Sequence, residues 1–272
     1  MKRFLTFVLA ALMVATLVLG LGSCATDKKV ISVGYTDYPP MNYLDENNEL
    51  VGFDTELAEA VFKKLGYDEV IFKLIKWENR YTELASGNVD CLWNGFTANT
   101  ADEDGVMRAE KVDFSYNYME NRQVVVVKAS EVAALQASSV PVKQLLKDKI
   151  GYVEASSAGA GYAAGFEGAI IKEATKQTDA IMQVKSGAAY FAVVDAQLAK
   201  SLAGKGDYAD LAIYDAMSSD VEYYAVGFKK GSELTAQVNA QFEALAADGT
   251  IMALAEKYEV ATTVITDFSD QK

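Results

Sequence analysis

Few residues in this 272-residue chain could do chemistry, and the residue types that are missing exclude a good deal. There is no histidine, which removes Ser-His-Asp and Cys-His nucleophile activation and the commonest ligand of zinc, iron and copper. The two cysteines, Cys24 and Cys91, are too few for a disulfide framework or a multi-thiolate metal site. Carboxylates, hydroxyls and guanidiniums remain. Beyond residue 23 there are three arginines, Arg80, Arg108 and Arg122, and a guanidinium fork matches a carboxylate. Ser156-Ser157 lies between a strand-like run and a helical one, where hydroxyls either cap the helix or help to hold an anion. Asp195 ends the apolar run at 191–194, and a carboxylate at the end of a buried strand needs a cation.

An α/β alternation must position these groups. Leaving out the first 23 residues, which hold two basic residues (Lys2 and Arg3) and no acid, moves the net charge from −13 to −15. So acidic a chain repels phosphate backbones and offers no basic face to an anionic membrane, so no nucleic-acid partner is expected. With 51% apolar residues, 11% aromatics and three prolines, it can bury a core as one large domain or two smaller ones. Short β-rich runs alternate with helical stretches, the pattern of largely parallel sheets. Strands are expected over 30–34, 70–74 and 89–93, and helices from Asp54 and over 80–86. Asp54 is the expected N-cap of its helix, with Glu56 favouring the dipole and Leu57, Val61 and Leu65 on one buried face. The β-branched run at 123–127 marks a crossing into a second lobe, with strands over 149–153 and 191–194. Residues 223–228 carry the chain back, and helices from Ser232 and Thr250 pack against the first lobe. The expected organisation is therefore a first lobe of 30–122 and 227–272, a second lobe of 123–226, and a cleft between them.

Residues 1–23 have the layout of a secretory signal peptide: Lys2 and Arg3, an apolar stretch, then Leu21-Gly22-Ser23-Cys24. The stretch is nearly long enough to span a bilayer, which leaves an uncleaved anchor as the alternative. The tetrapeptide resembles the lipobox of bacterial lipoproteins. That resemblance implies cleavage before Cys24, a diacylglycerol on its thiol, residues 24–29 as a tether, and a membrane anchor outside the cytoplasm. Cys91 reads as a buried small hydrophobe.

Five segments, in order, carry a second resemblance: Asp37-Tyr38-Pro39-Pro40; Gly52-Phe53-Asp54-Thr55-Glu56-Leu57-Ala58-Glu59-Ala60; Ser86-Gly87-Asn88-Val89-Asp90 leading into Trp93-Asn94-Gly95-Phe96-Thr97; Val112-Asp113-Phe114-Ser115; and Ala247-Asp248-Gly249-Thr250. Together they resemble extracellular solute-binding proteins of family 3, the lipoproteins that capture polar amino acids for ABC importers. The resemblance implies a type II periplasmic-binding-protein-like fold, two α/β lobes joined by two strands that close over the ligand by hinge motion. It implies an amino-acid ligand, an ABC transporter permease as partner, no cofactor and no metal.

The same resemblance assigns ligand-binding residues. Arg108, just before Val112-Asp113-Phe114-Ser115, would clamp the ligand carboxylate. The acidic stretch at 100–105 looks like an insertion that must loop out for Arg108 to reach the cleft; otherwise Arg80 or Arg122 becomes the clamp. Ser156 and Ser157 would flank the same carboxylate, unless they only cap their helix. Asp195 would hold the ammonium, Gly95 and Thr97 would offer a carbonyl and a hydroxyl, and Tyr38 and Trp77 would sandwich the side chain unless they are core residues. Asp37 and Glu78 would favour a basic side chain if they face the pocket. Two other functions stand beside transport. A few relatives of the fold are cyclohexadienyl-dehydratase-like enzymes, which would need a buried Asp or Glu as general acid or base. The other is a ligand-sensing partner of a signalling receptor.

Overall fold

The computed structural model describes residues 28–271. The leader, Cys24 and most of the tether lie outside the described residues. In chain order the strands are β1 (Val30–Tyr35), β2 (Tyr43–Leu44), β3 (Leu50–Val51), β4 (Glu69–Leu74), β5 (Cys91–Leu92), β6 (Asp113–Phe114), β7 (Met119–Asn121), β8 (Gln123–Lys128), β9 (Ile150–Glu154), β10 (Ile170–Ala174), β11 (Phe191–Asp195), β12 (Leu211–Ser218), β13 (Glu222–Tyr224) and β14 (Gly227–Phe228). They build two five-stranded sheets, ordered β4-β1-β5-β14-β6 and β10-β9-β11-β8-β12. Between the sheets β7 pairs antiparallel with β13, Asn121 opposite Glu222, so the two crossings run side by side.

Each sheet is parallel where βαβ steps build it and antiparallel where a crossing strand joins. β1 runs parallel to β4 and β5, while β14, arriving from the second lobe, runs against β5 and β6. Likewise β9 runs parallel to β10 and β11, and β8, arriving from the first lobe, runs against β11 and β12. The expected parallel character therefore holds only in part, because a strand that enters a lobe from the hinge points the opposite way. The apolar run expected as a strand over 89–93 pairs only at Cys91–Leu92, and Cys91 is fully buried there.

The helix Phe53–Lys64 lays Phe53, Leu57, Val61 and Phe62 into the first-lobe core, as its periodicity requires. Leu65, expected on that face, is half-buried and ends the helix instead. The N-cap assignment to Asp54 is corrected. Gly52 occupies that position at φ 131, where a Cβ would meet the Met41 carbonyl at 2.1 Å. The first amides of the helix are taken by backbone oxygens: Phe53 N–H donates to Pro40 O at 2.9 Å and Asp54 N–H to Met41 O at 3.0 Å. The Asp54 carboxylate is thereby released from capping. Completely buried, it accepts from Gly95 N–H at 2.7 Å and the Tyr118 hydroxyl at 2.9 Å. Burial raises its pKa to about 7 despite these two donors. A motif residue expected at a helix end thus anchors the backbone turn that faces the other lobe.

Candidate ligand-binding cleft

The turn held by Asp54 forms the first-lobe wall. Gly95 sits at φ +57, where a Cβ would lie 2.7 Å from the Tyr38 ring, so only glycine fits. Beside it Asn94 donates to Thr36 O at 2.9 Å and Asn42 Oδ1 at 2.7 Å, fixing the turn to β1 and its loop. Arg108 opens the short helix Arg108–Lys111 and is 1% exposed. The acidic stretch ahead of it does loop out, and it also turns back on the arginine. Asp102 N–H donates to Val106 O at 3.0 Å and Arg108 N–H to Thr100 O at 3.1 Å. Asp102 Oδ1 then accepts from Arg80 Nη2 at 2.6 Å and Arg108 Nε at 2.8 Å. Its Oδ2 accepts from the Tyr81 hydroxyl at 2.7 Å and Lys111 Nζ at 2.9 Å. Burial alone would push this carboxyl up, but the hydroxyl, the ammonium and the two guanidiniums hold it well below the usual carboxylate range. Arg108 Nη1 also donates to Thr97 O at 3.2 Å. Of the three arginines, Arg122 lies on the outside, donating to Ser219 O at 3.0 Å, and Arg80 stands behind Trp77 with Nη1 on its carbonyl.

Amides and carboxyls build the second-lobe wall. Asp195 Oδ1 accepts from Asn121 Nδ2 at 2.6 Å and Gln123 Nε2 at 2.5 Å, and its Oδ2 accepts from Gln177 Nε2. Glu222 Oε1 takes the same two donors, at 2.6 Å from Asn121 and 2.5 Å from Gln123. Two carboxyls therefore share one pair of amides at the hinge. Burial first and Asp195 second raise the Glu222 pKa to about 7. Glu154, the last residue of β9, is 4% exposed and its Oε1 has no hydrogen-bond partner. Burial, then Asp195, raises its pKa to about 8, with Arg80 opposing. Ser157 Oγ accepts from Ala160 N–H at 3.1 Å and caps the helix Ala158–Ala163.

These walls meet around a small cavity. Trp77, Asn94, Gly95, Thr97 and Arg108 line it from the first lobe, and Glu154, Ser157, Ala158, Gln177 and Asp195 from the second. Its free volume of about 20 Å³ admits a water molecule but not an amino acid, so entry requires the lobes to part. Polar contacts join the lobes. Lys176 Nζ lies 3.3 Å from Asp37, the Ser201 hydroxyl donates to Pro39 O at 3.3 Å, and Lys205 Nζ lies 3.5 Å from Glu259.

Six of the residues named from the sequence, Trp77, Gly95, Thr97, Arg108, Ser157 and Asp195, come together here. Four do not. Tyr38 is buried beneath Gly95, its hydroxyl pairs with that of Tyr224 at 2.6 Å, and it does not line the cavity. Ser156 takes φ +57 in the tight turn after β9 and does not line the cavity. Asp37 bridges the lobes through Lys176, and Glu78 is exposed, 3.8 Å from Lys76. Sequence reasoning missed Glu154, Asn94 and Gln177. Glu154 carries the signal that identified Asp195, a carboxylate ending an apolar strand, whereas the two amides give no such signal.

Comparison with known proteins agrees with this geometry. Residues 31–261 match the family described as bacterial extracellular solute-binding proteins, family 3. The arginine-binding extracellular protein ArtP of Bacillus subtilis (strain 168) is 27% identical, over 95% of this chain and 98% of its own. The L-cystine-binding protein TcyJ of Escherichia coli (strain K12) is 26% identical, over 81% of this chain and 79% of its own. The solved structure of an ancestral arginine-binding protein bound to arginine superposes with a TM-score of 0.73 at 30% identity, covering 85% of this chain and 98% of that one.

Proposed function

This chain belongs to the bacterial extracellular solute-binding proteins, family 3, and from that premise we propose that it captures one free amino acid between its lobes and hands it to an ABC transporter permease. The family and fold are those of a non-catalytic, extracytoplasmic amino-acid-binding protein. One observation carries the finer reading: a guanidinium on one wall of the cleft faces two carboxyls on the other, the charge pattern of an amino acid reversed. Arg108 Nε is turned to Asp102, so a ligand carboxylate meets the Nη1/Nη2 edge of the fork. The Ser157 and Thr97 hydroxyls complete that end, Asp195 takes the ammonium, and Trp77 covers the side chain. Loading is a hinge motion about the β7–β13 pair.

Ligand-dependent thermal unfolding tests this reading. At about 100 times Kd, a ligand that binds only the folded state adds about 2.7 kcal/mol, a midpoint shift of several degrees for a chain of this size. If none of the common amino acids moves the midpoint, the reading fails. The anchor is a separate proposal. Cys24 carries the lipid that keeps the protein beside its permease, so Cys24→Ala should move it from the membrane fraction to the soluble one. Unchanged fractionation would mean that the apolar leader itself is the anchor.

A further inference from the structure

The two walls of the cleft are not electrically matched. On the first-lobe wall, Arg80, Arg108 and Lys111 share the carboxylates of Asp102 and Asp104, three cations against two anions, which leaves one positive charge for a ligand carboxylate. On the second-lobe wall there is no cation. Asp195 and Glu222 are held only by the neutral amides of Asn121, Gln123 and Gln177, and Glu154 Oε1, buried in the lining, is held by nothing. A buried carboxyl oxygen without a donor is costly, and the cavity it lines is where a donor can arrive. A zwitterion offers one ammonium, and Asp195 is placed to take it. Glu154 Oε1 then still lacks a donor.

We propose that Glu154 is a second cation-recognising carboxylate of the cleft and restricts its ligand to amino acids with a positively charged side chain. This rests on the amino-acid reading of the cleft and names the ligand class within it. Asp37 and Glu78, the acids that the sequence offered for this role, are engaged elsewhere, with Lys176 and Lys76. A ligand with two cationic groups satisfies Asp195 and Glu154 at once, whereas a neutral isostere leaves Glu154 to be protonated. Binding is therefore coupled to proton release. The groups that act on Glu154 are Asp195 on β11, Asp179 and Gln177 on the helix Gln177–Ser186, and Arg80 from the first lobe, with Arg108 and Glu222 also at the cleft. Of the acids, Glu154 and Glu222 have pKa values raised into the neutral range, to about 8 and about 7. A cation arriving at Glu154 favours its ionised form and lowers its pKa, so affinity rises with pH through the neutral range.

Titration calorimetry of the protein with L-arginine and L-citrulline, which differ by a charged guanidinium against a neutral ureido group, provides the test. Arginine should bind at least about tenfold more tightly than citrulline at pH 8, release protons to the buffer, and lose affinity toward pH 6. In Glu154→Gln the two ligands should bind about equally and the pH slope should shrink to the part due to Glu222. Equal binding of the two by the unaltered protein, or an arginine preference that survives Glu154→Gln, overturns the proposal and leaves the amino-acid reading standing. If neither these two nor any other amino acid binds, both fall. The ligand comparison and the proton count need no variant, so the proposal remains falsifiable even if Glu154→Gln does not fold.

Discussion

The two walls of the cleft hold buried charge in opposite ways. Around Asp102 one carboxylate gathers two guanidiniums, an ammonium and a tyrosine hydroxyl, which hold it well below the usual carboxylate range. Around Asp195 no carboxyl has a cation at ion-pair distance: Asp195 and Glu222 are held by amides, Glu154 Oε1 has no donor, and the pKa values of Glu154 and Glu222 are raised to about 8 and about 7. The first arrangement is a closed ion network that fixes Arg108 in place. The second is incomplete within the protein. The comparison teaches that burial of charge by itself does not mark a binding wall: Asp54 Oδ1 and Arg80 Nε, on the first-lobe side, are also buried without a partner, and what sets Glu154 Oε1 apart is that its residue lines the cavity.

The largest expected effect breaks the closed side. Asp102→Ala leaves Arg80 and Arg108 buried without their shared carboxylate, which should cost about 3–5 kcal/mol in urea unfolding. Glu222→Gln, on the open side, removes a carboxyl that competes with Asp195 for the same amides and should change stability by less than about 1 kcal/mol, with a gain at pH 8. Equal losses in the two variants would show that both walls are closed networks.

The next effect is the opposite pH response of the raised and the depressed carboxyls in the unliganded protein. Glu154, Glu222 and Asp54 have pKa values raised to about 8, 7 and 7, so above about pH 4.5 the folded state binds more protons than the unfolded one. Stability must then fall as pH rises toward 8, by on the order of a few kcal/mol. Asp102 is depressed, so its contribution is complete above about pH 4 and is lost as pH falls below that. Urea midpoints from pH 3 to pH 9 should therefore peak near pH 5. A stability flat from pH 5 to pH 8 would contradict the raised carboxyls. The smallest effect belongs to the half-exposed bridge between the lobes. Lys176→Ala should change unliganded stability by less than about 1 kcal/mol, and a larger loss would mean that Asp37 is more deeply engaged than its exposure implies.

The legible parts of the sequence were those in which local pattern and tertiary environment agree. The β-branched run at 123–127 and the apolar run ending at Asp195 are strands because they lie at the centre of the second sheet, where both faces are buried. The periodicity of Leu57 and Val61 set a core face for the same reason. Asp54 was misassigned because a capping residue and a buried anchor have the same local signature; what separated them was the Pro40 and Met41 carbonyls arriving from another segment. Tyr38 was illegible in the same way, since only the approach of Gly95 and Tyr224 puts its ring beneath the cleft floor.

The amino-acid order alone determined the α/β alternation, the two crossings, the lack of histidine chemistry and the strand-end carboxylate at Asp195, because hydrophobic period and residue type are local properties. The family resemblance added the place of Arg108 before its motif and the acidic insertion ahead of it. Only the tertiary structure decided that Asp102 in that insertion pairs with the arginine, and that Glu154, on a different strand from Asp195, is buried beside the same cavity with its Oε1 unpaired. The physical reason is that a buried charge is defined by its neighbours in space, and here those neighbours come from both lobes and from segments far apart in the chain.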